Sequence, residues 1–123
     1  MLVVDDDQCM RELVYLHLSK AGYDVTTAED AVVALKCLLR RPPRLMISDV
    51  DMPYMSGLEF VETVRADPHT REVKVLFLTA RTDIDDAAKA RGALGCLRKP
   101  IVAPQLLAAV AAVVPAERIA LEG

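Results

Sequence analysis

Residues 74–79 read Lys-Val-Leu-Phe-Leu-Thr, "KVLFLT", an unbroken apolar run closed by a polar residue at each end. A strand with one wet face alternates apolar and polar side chains, so a run without alternation reads as a strand buried on both faces. Both faces of a sheet are covered when helices pack on each, which is the habit of parallel sheets built from strand, helix, strand crossovers. That architecture requires helical segments on either side of this run and other short strands to join it.

Both are present. Upstream, Ser56-Gly57-Leu58-Glu59 is a Ser-x-x-Glu capping box that opens a helix to about Ala66. Before it, "RLMISD" (44–49) is a third strand, and "YDVTTA" (23–28) a second. Asp30 is placed to cap a helix over Ala31 to Leu39, which Pro42 and Pro43 forbid from continuing. Leu2 to Val4 is the first strand. The segment from Gln8 to Ala21 then carries Met10, Leu13, Val14, Leu18 and Ala21 on one helical face, with Gly22 as its stop. Downstream, Asp83 to Arg91 is an Ala-rich helix, "GCLRK" (95–99) a fifth strand, and Pro104 the first residue of a last helix through about Val114. Strand and helix alternate five times, which predicts right-handed crossovers and a parallel sheet with helices on both faces.

The 123 residues suit one domain, expected over 1–123 without repeat or linker. Apolar residues make up 53% and charged residues 27%, a globular composition. The net charge of −3, from 18 acids and 15 bases, includes no basic run, so direct nucleic-acid binding is not expected. Cys9, Cys37 and Cys96 cannot all pair within one chain, and no spacing suggests zinc or a redox dithiol. The first two are expected as small apolar fillers on helices, and the third as buried rather than redox-sensing. The start "MLVVDDD" has no leader pattern and no apolar run reaches the ~18–20 residues of a membrane helix, so a cytoplasmic protein is expected. The tail "PAERIALEG" (115–123) shows no effector. His17 is expected to pack beside the first helix's apolar stripe, and His69 to be solvated in its turn.

In open parallel sheets, ligands sit outside the carboxyl ends of the strands. The polar residues collect there: Asp5 and Asp6 after the first strand, Asp49 after the third, Thr79 after the fourth and Lys99 after the fifth. Two carboxylates about 4 Å apart repel by roughly 4 kcal/mol at an effective dielectric of about 20, so the acids need a compensating charge. A hard dication such as magnesium, content with two or three carboxylates plus waters, supplies it and leaves positions for phosphate oxygens. A Lys and a Thr hydroxyl opposite would neutralise and orient a phosphoryl group. The chemistry implied is phosphoryl transfer to an aspartate.

Over essentially its whole length the chain resembles the receiver domain of two-component response regulators, through "VVDDDQCMREL", "LMISDVDMPYMSGLEF", "RADPHTREVKVLFLTAR" and "GCLRKP". The resemblance implies a flavodoxin-like doubly wound (βα)5 fold with strand order 2-1-3-4-5. It implies Asp49 as phosphoacceptor and Asp6 as principal ligand of Mg2+, for which Mn2+ can substitute. Asp5 would act beside Asp6 through water, and Asp51 through its backbone carbonyl. Thr79 and Lys99 would contact the phosphoryl group, with Lys99-Pro100 cis. Asp7 would face solvent at the start of the first helix, where its charge suits the helix dipole. The implied phosphodonor is a histidine kinase or a histidine phosphotransfer protein. Weak self-phosphotransfer and autodephosphorylation are implied as well, without enzyme activity in the ordinary sense.

The chain departs from the family at Cys96, a switch position that usually holds Tyr or Phe, and at Ile101. Thr79 and Lys99 are 20 positions apart, about two fewer than usual, so the fourth helix or its entry loop is short. Asp51 either pairs with Arg81, faces solvent or orients an attacking water. The last helix has Leu106, Leu107, Val110, Val113 and Val114 for the core and mostly Ala elsewhere, which points to a second copy or an effector domain at the fourth and fifth helices. Two alternatives stand beside the receiver: a pseudo-receiver that keeps the fold without the switch, and a haloacid dehalogenase-type phosphatase suggested by the Asp-x-Asp of "ISDVDMP". Pro53 and the third-strand position of that motif argue against the phosphatase.

Overall fold

A computed structural model describes residues 1–115. Ten elements alternate along the chain: β1 (Leu2–Val4), α1 (Gln8–Lys20), β2 (Thr26–Ala28), α2 (Ala31–Arg40), β3 (Leu45–Ser48), α3 (Gly57–Ala66), β4 (Lys74–Thr79), α4 (Asp85–Ala90), β5 (Gly95–Arg98) and α5 (Ala103–Val113). The strands form one parallel sheet in the order β2-β1-β3-β4-β5, as expected. The expectation that the tail carries no effector falls on residues 116–123, outside the described residues.

Local chemistry sets the helix starts. Asp7 caps α1 by accepting the N–H groups of Cys9 at 3.0 Å and Met10 at 3.3 Å. Asp30 caps α2 through the Val33 N–H at 2.9 Å. Ser56 and Glu59 close a reciprocal capping box on α3, at 3.2 and 3.1 Å. α4 has six residues and no side-chain cap.

Side chains of a strand alternate between faces, and the core accordingly divides in two. Leu2, Val4, Met46, Val75 and Phe77 meet Ala34 and Leu38 of α2, Phe60 and Val64 of α3 and Ala88 of α4. On the other face Val3, Leu45, Ile47, Leu76 and Leu78 meet Val14 and Leu18 of α1 and Leu106 and Val110 of α5. β3 and β4 are buried throughout except at Lys74, which accounts for the unbroken apolar run. Because all five strands run parallel, their carboxyl ends lie along one edge of the sheet.

Several boundaries and burial assignments differ from expectation. β2 begins at Thr26, not Tyr23: the Tyr23 N–H closes the end of α1 on the Leu18 carbonyl, and its hydroxyl donates to the Val114 carbonyl at 2.7 Å. α4 begins at Asp85, not Asp83: Ile84 is its cap residue with non-helical φ, and Asp83 lies before it, paired with the Arg81 guanidinium. Pro104 is the second residue of α5, a position whose N–H has no intrahelical partner. Leu13 is 40% exposed, since the stripe that α1 buries runs through Met10, Val14 and Leu18 and leaves it on the shoulder. Cys9 is exposed in the first turn, off that stripe, and is no core filler. Cys37 packs against the core as expected.

Candidate functional site

Asp5 continues the edge of β1, its N–H reaching the Ala28 carbonyl at 3.1 Å, and is 3% exposed. Its Oδ1 accepts the Asp7 N–H at 2.9 Å. Its carbonyl accepts the Arg11 guanidinium at 2.7 Å. Asp49 follows β3, anchored by its N–H to the Val4 carbonyl at 2.9 Å, and is 9% exposed. Asp6 is exposed, and one carboxylate oxygen each of Asp5, Asp6 and Asp49 lie within 4.8 Å of one another.

Lys99 leaves the end of β5 and reaches into this cluster. Its Nζ is 3.1 Å from Asp5 Oδ2 and 3.3 Å from Asp49 Oδ2. The Lys99-Pro100 bond is cis, as the resemblance implied. Burial pulls the ammonium pKa down, but hydrogen bonding and attraction to Asp5 and then Asp49 outweigh it, and the value stands above the ordinary 10.5. Asp49 moves the other way for an acid: burial raises its carboxyl above the ordinary 3.8, the Asp5 charge adds to the rise, and Lys99 and the Val50 N–H only partly offset them.

Thr79 ends β4 and is 1% exposed. Its carbonyl accepts the Lys99 N–H at 2.9 Å, which ties the ends of β4 and β5 together. Its hydroxyl oxygen accepts the Arg81 N–H at 3.1 Å and so keeps its own proton to donate. The Asp51 side chain lies outside the acidic cluster. It pairs with Arg81 at 3.3 Å, while Arg81 also grips Asp83 at 3.1 and 3.2 Å, all at the exposed mouth of the site.

Cys96 is half-buried on β5, opposite Phe77. Burial pushes its thiol pKa up, which disfavours a reactive thiolate. Two residues on, Arg98 forms an ion pair with Asp85 at the start of α4.

Three further residues contribute to the site without a sequence signal for that role. Arg11 and Ser48 lie within the stretches that carry the resemblance, which assigns neither of them a role. Gly57 has the sequence signature of a helix cap alone, yet a Cβ on it would stand 2.5 Å from the Asp49 carbonyl oxygen, 2.7 Å from the Phe77 ring and 2.9 Å from Val50 Cα. A cavity of about 360 Å³ lies elsewhere, lined by Met1, Asp24, Arg40 and Arg41 among others. In the acidic site Asp5 and Asp49 are buried while Asp6 is exposed, so the cluster meets solvent at Asp6.

Residues 1–111 match the family described as Response regulator receiver domain. The chain belongs to that family. A probable chemotaxis protein CheY of Rhizobium etli is 34% identical, over 92% of this chain and 90% of its own length. The DNA-binding dual master transcriptional regulator RpaA of Synechocystis is 33% identical over 91% of this chain, which spans 47% of that regulator. Among solved structures, the chemotaxis response regulator CheY4 of Vibrio cholerae superposes with a TM-score of 0.86 at 38% identity, covering 92% of this chain and 96% of that one. The protein is therefore a receiver of two-component signalling with the flavodoxin-like fold, a phosphoacceptor switch by family. No described helix is long and apolar enough to cross a membrane.

Proposed function

We propose that Asp49 accepts a phosphoryl group from a histidine kinase or a histidine phosphotransfer protein, and that residues 1–123 act as one receiver domain in the cytoplasm. The observation that carries this reading is the cluster of Asp5, Asp6 and Asp49 within 4.8 Å, with Lys99 bridging the two buried acids. The cluster's donors are oxygens alone, two buried and one open to water, which fits a hard cation that keeps part of its hydration. Asp6, Asp49 and the Asp51 carbonyl would hold Mg2+ or Mn2+, with Asp5 acting beside Asp6 through water. When bound, the ion neutralises charge on the phosphoryl oxygens.

The remaining work falls to the chain itself. An Asp49 carboxylate oxygen forms the new P–O bond as the P–N bond to the donor histidine breaks, and the imidazole nitrogen leaves with the bonding pair and takes up a proton. Lys99 is placed to pass from Asp49 to the incoming phosphoryl oxygens, and the Thr79 hydroxyl to donate to another. The same site would support slow self-phosphotransfer from small donors and slow hydrolysis. Phosphorylation would be read out at α4 and α5 by a second copy or an effector domain, with Cys96 at the usual switch position unable to act as an aromatic toggle.

Acetyl phosphate with magnesium should add one phosphoryl mass to the wild-type protein and none to Asp49→Asn, read by intact-mass spectrometry. Labelling of Asp49→Asn at the wild-type level, or none of the wild type, would overturn the assignment.

A further inference from the structure

The hydroxyl of Ser48 lies in the interior directly behind Asp49. Ser48 is 1% exposed, and its Oγ is 2.8 Å from the Asp49 carbonyl oxygen and 3.8 Å from Met52 Sδ. A hydroxyl has one proton to give, and the nearer, harder oxygen acceptor takes it. Asp49 stands one residue beyond β3, so this carbonyl has left the strand ladder. On another side the Gly57 backbone closes over the same oxygen, near enough that a Cβ would sit 2.5 Å away, while the Gly57 N–H donates to the Val50 carbonyl at 2.6 Å.

The Asp49–Val50 peptide is thus held at both its own carbonyl and the next one. Its other end is the Val50 N–H, which donates to Asp49 Oδ1 at 2.7 Å, while Asp49 Oδ2 faces Lys99 at 3.3 Å. The two carboxylate oxygens are therefore inequivalent, one occupied by the backbone and the other turned to the cation. A peptide free to tilt would release Oδ1 and let the carboxylate rotate.

We infer that Ser48 is a positioning residue for phosphoryl transfer: by fixing the Asp49–Val50 peptide, its hydroxyl locks the rotation of the Asp49 carboxylate and sets which oxygen faces the incoming group. This rests on Asp49 being the acceptor. It costs the chain one buried hydroxyl, satisfied by that single bond, and returns orientation of the reacting atom, to which rates are steeply sensitive.

The test compares wild type, Ser48→Ala and Ser48→Thr in acetyl phosphate labelling at saturating magnesium, with the Val50 amide proton followed by NMR. Ser48→Ala should label about tenfold more slowly, with the Val50 amide proton moving upfield as its bond to Oδ1 weakens. Ser48→Thr, which keeps the hydroxyl, should recover most of the rate and the downfield amide. A melting temperature in Ser48→Ala close to wild type would set the effect apart from general loss of fold. Labelling of Ser48→Ala at the wild-type rate, or slowing with the Val50 amide unmoved, would overturn the role of Ser48 alone. A wild type that takes no phosphoryl group would overturn the acceptor assignment and this proposal together.

Discussion

Lys99 Nζ lies 3.1 Å from Asp5 Oδ2, joining residues 94 positions apart in the chain. With Asp49 3.3 Å from the same nitrogen, one ammonium serves two buried carboxylates. The repulsion built into the start of the chain is thereby met within the protein, although one positive charge does not cancel two negative ones.

Replacing Lys99 with Met should leave Asp5 and Asp49 uncompensated. Stripping one partner from a buried pair costs about 3–5 kcal/mol, and the 19% exposure of the Lys99 side chain reduces this to roughly 1–3 kcal/mol. Because the folded pKa of Lys99 is raised above 10.5, its contribution is fully present below pH 10.5 and is lost as pH rises through the folded value. Urea denaturation in chelator should show the deficit of the Met variant at pH 7.5 and a narrowing gap at strongly alkaline pH. A gap that widens there would contradict the pairing.

Asp49 provides the opposite sign. Its folded pKa is raised above 3.8, so the folded state holds the proton more tightly and loses stability as pH rises from 3.8 through the folded value. At neutral pH the ionised carboxylate costs stability, and Asp49→Asn should melt higher than wild type in chelator. A domain of this size gains about 3–6 °C per kcal/mol. The gain should vanish below about pH 3.8, where wild type is protonated too. Millimolar magnesium should raise the wild-type melting temperature more than that of Asp49→Asn. Calorimetry at both pH values decides this, and an Asn variant less stable at pH 7.5 would count against it.

Gly57→Ala should destabilise far more than a helix propensity scale suggests. The added methyl meets backbone on two sides and the Phe77 ring on a third, so the loop after Asp49 has to move. Overpacking of this kind costs about 1–3 kcal/mol, whereas Ala at a helix start is ordinarily tolerated. The variant should unfold at lower urea and accept phosphate more slowly. The control is Ser56→Ala, which removes only the cap, costs about 1 kcal/mol and should label normally.

On α5, Leu106 and Val110 are buried while Ala108, Ala111 and Ala112 are exposed. If this face meets a second copy when the protein is phosphorylated, fluoroberyllate with magnesium should raise the mass seen by light scattering. Ala108→Glu and Ala112→Glu should keep the protein monomeric, with Asp49 labelling unchanged. Dimers formed equally well by both charge variants would rule this face out.

The ten elements were legible in the sequence because their signals are local. Ser56 and Glu59 cap within one turn, Pro42 and Pro43 stop a helix wherever it is going, and 74–79 cannot be half-wet in any fold. The convergence of Asp5, Asp6, Asp49 and Lys99 was legible too, since parallel strands put all their carboxyl ends on one edge. What lay beyond the sequence depends on distances across the fold. Leu13 and Met10 are equally apolar, and only the seating of α1 decides that Met10 is covered and Leu13 is not. The sequence leaves Asp51 a choice between Arg81, solvent and an attacking water, and only the folded loops settle it by bringing both Asp51 and Asp83 to Arg81. Ser48 and Gly57 look like any small residues, and become specific only because the fold buries the Ser48 hydroxyl on the carbonyl of Asp49 and brings Gly57 against the same oxygen. Periodicity and capping act within a few residues and can be read along the chain, whereas close packing and charge pairing act at contact range between distant residues and exist only once the sheet has assembled.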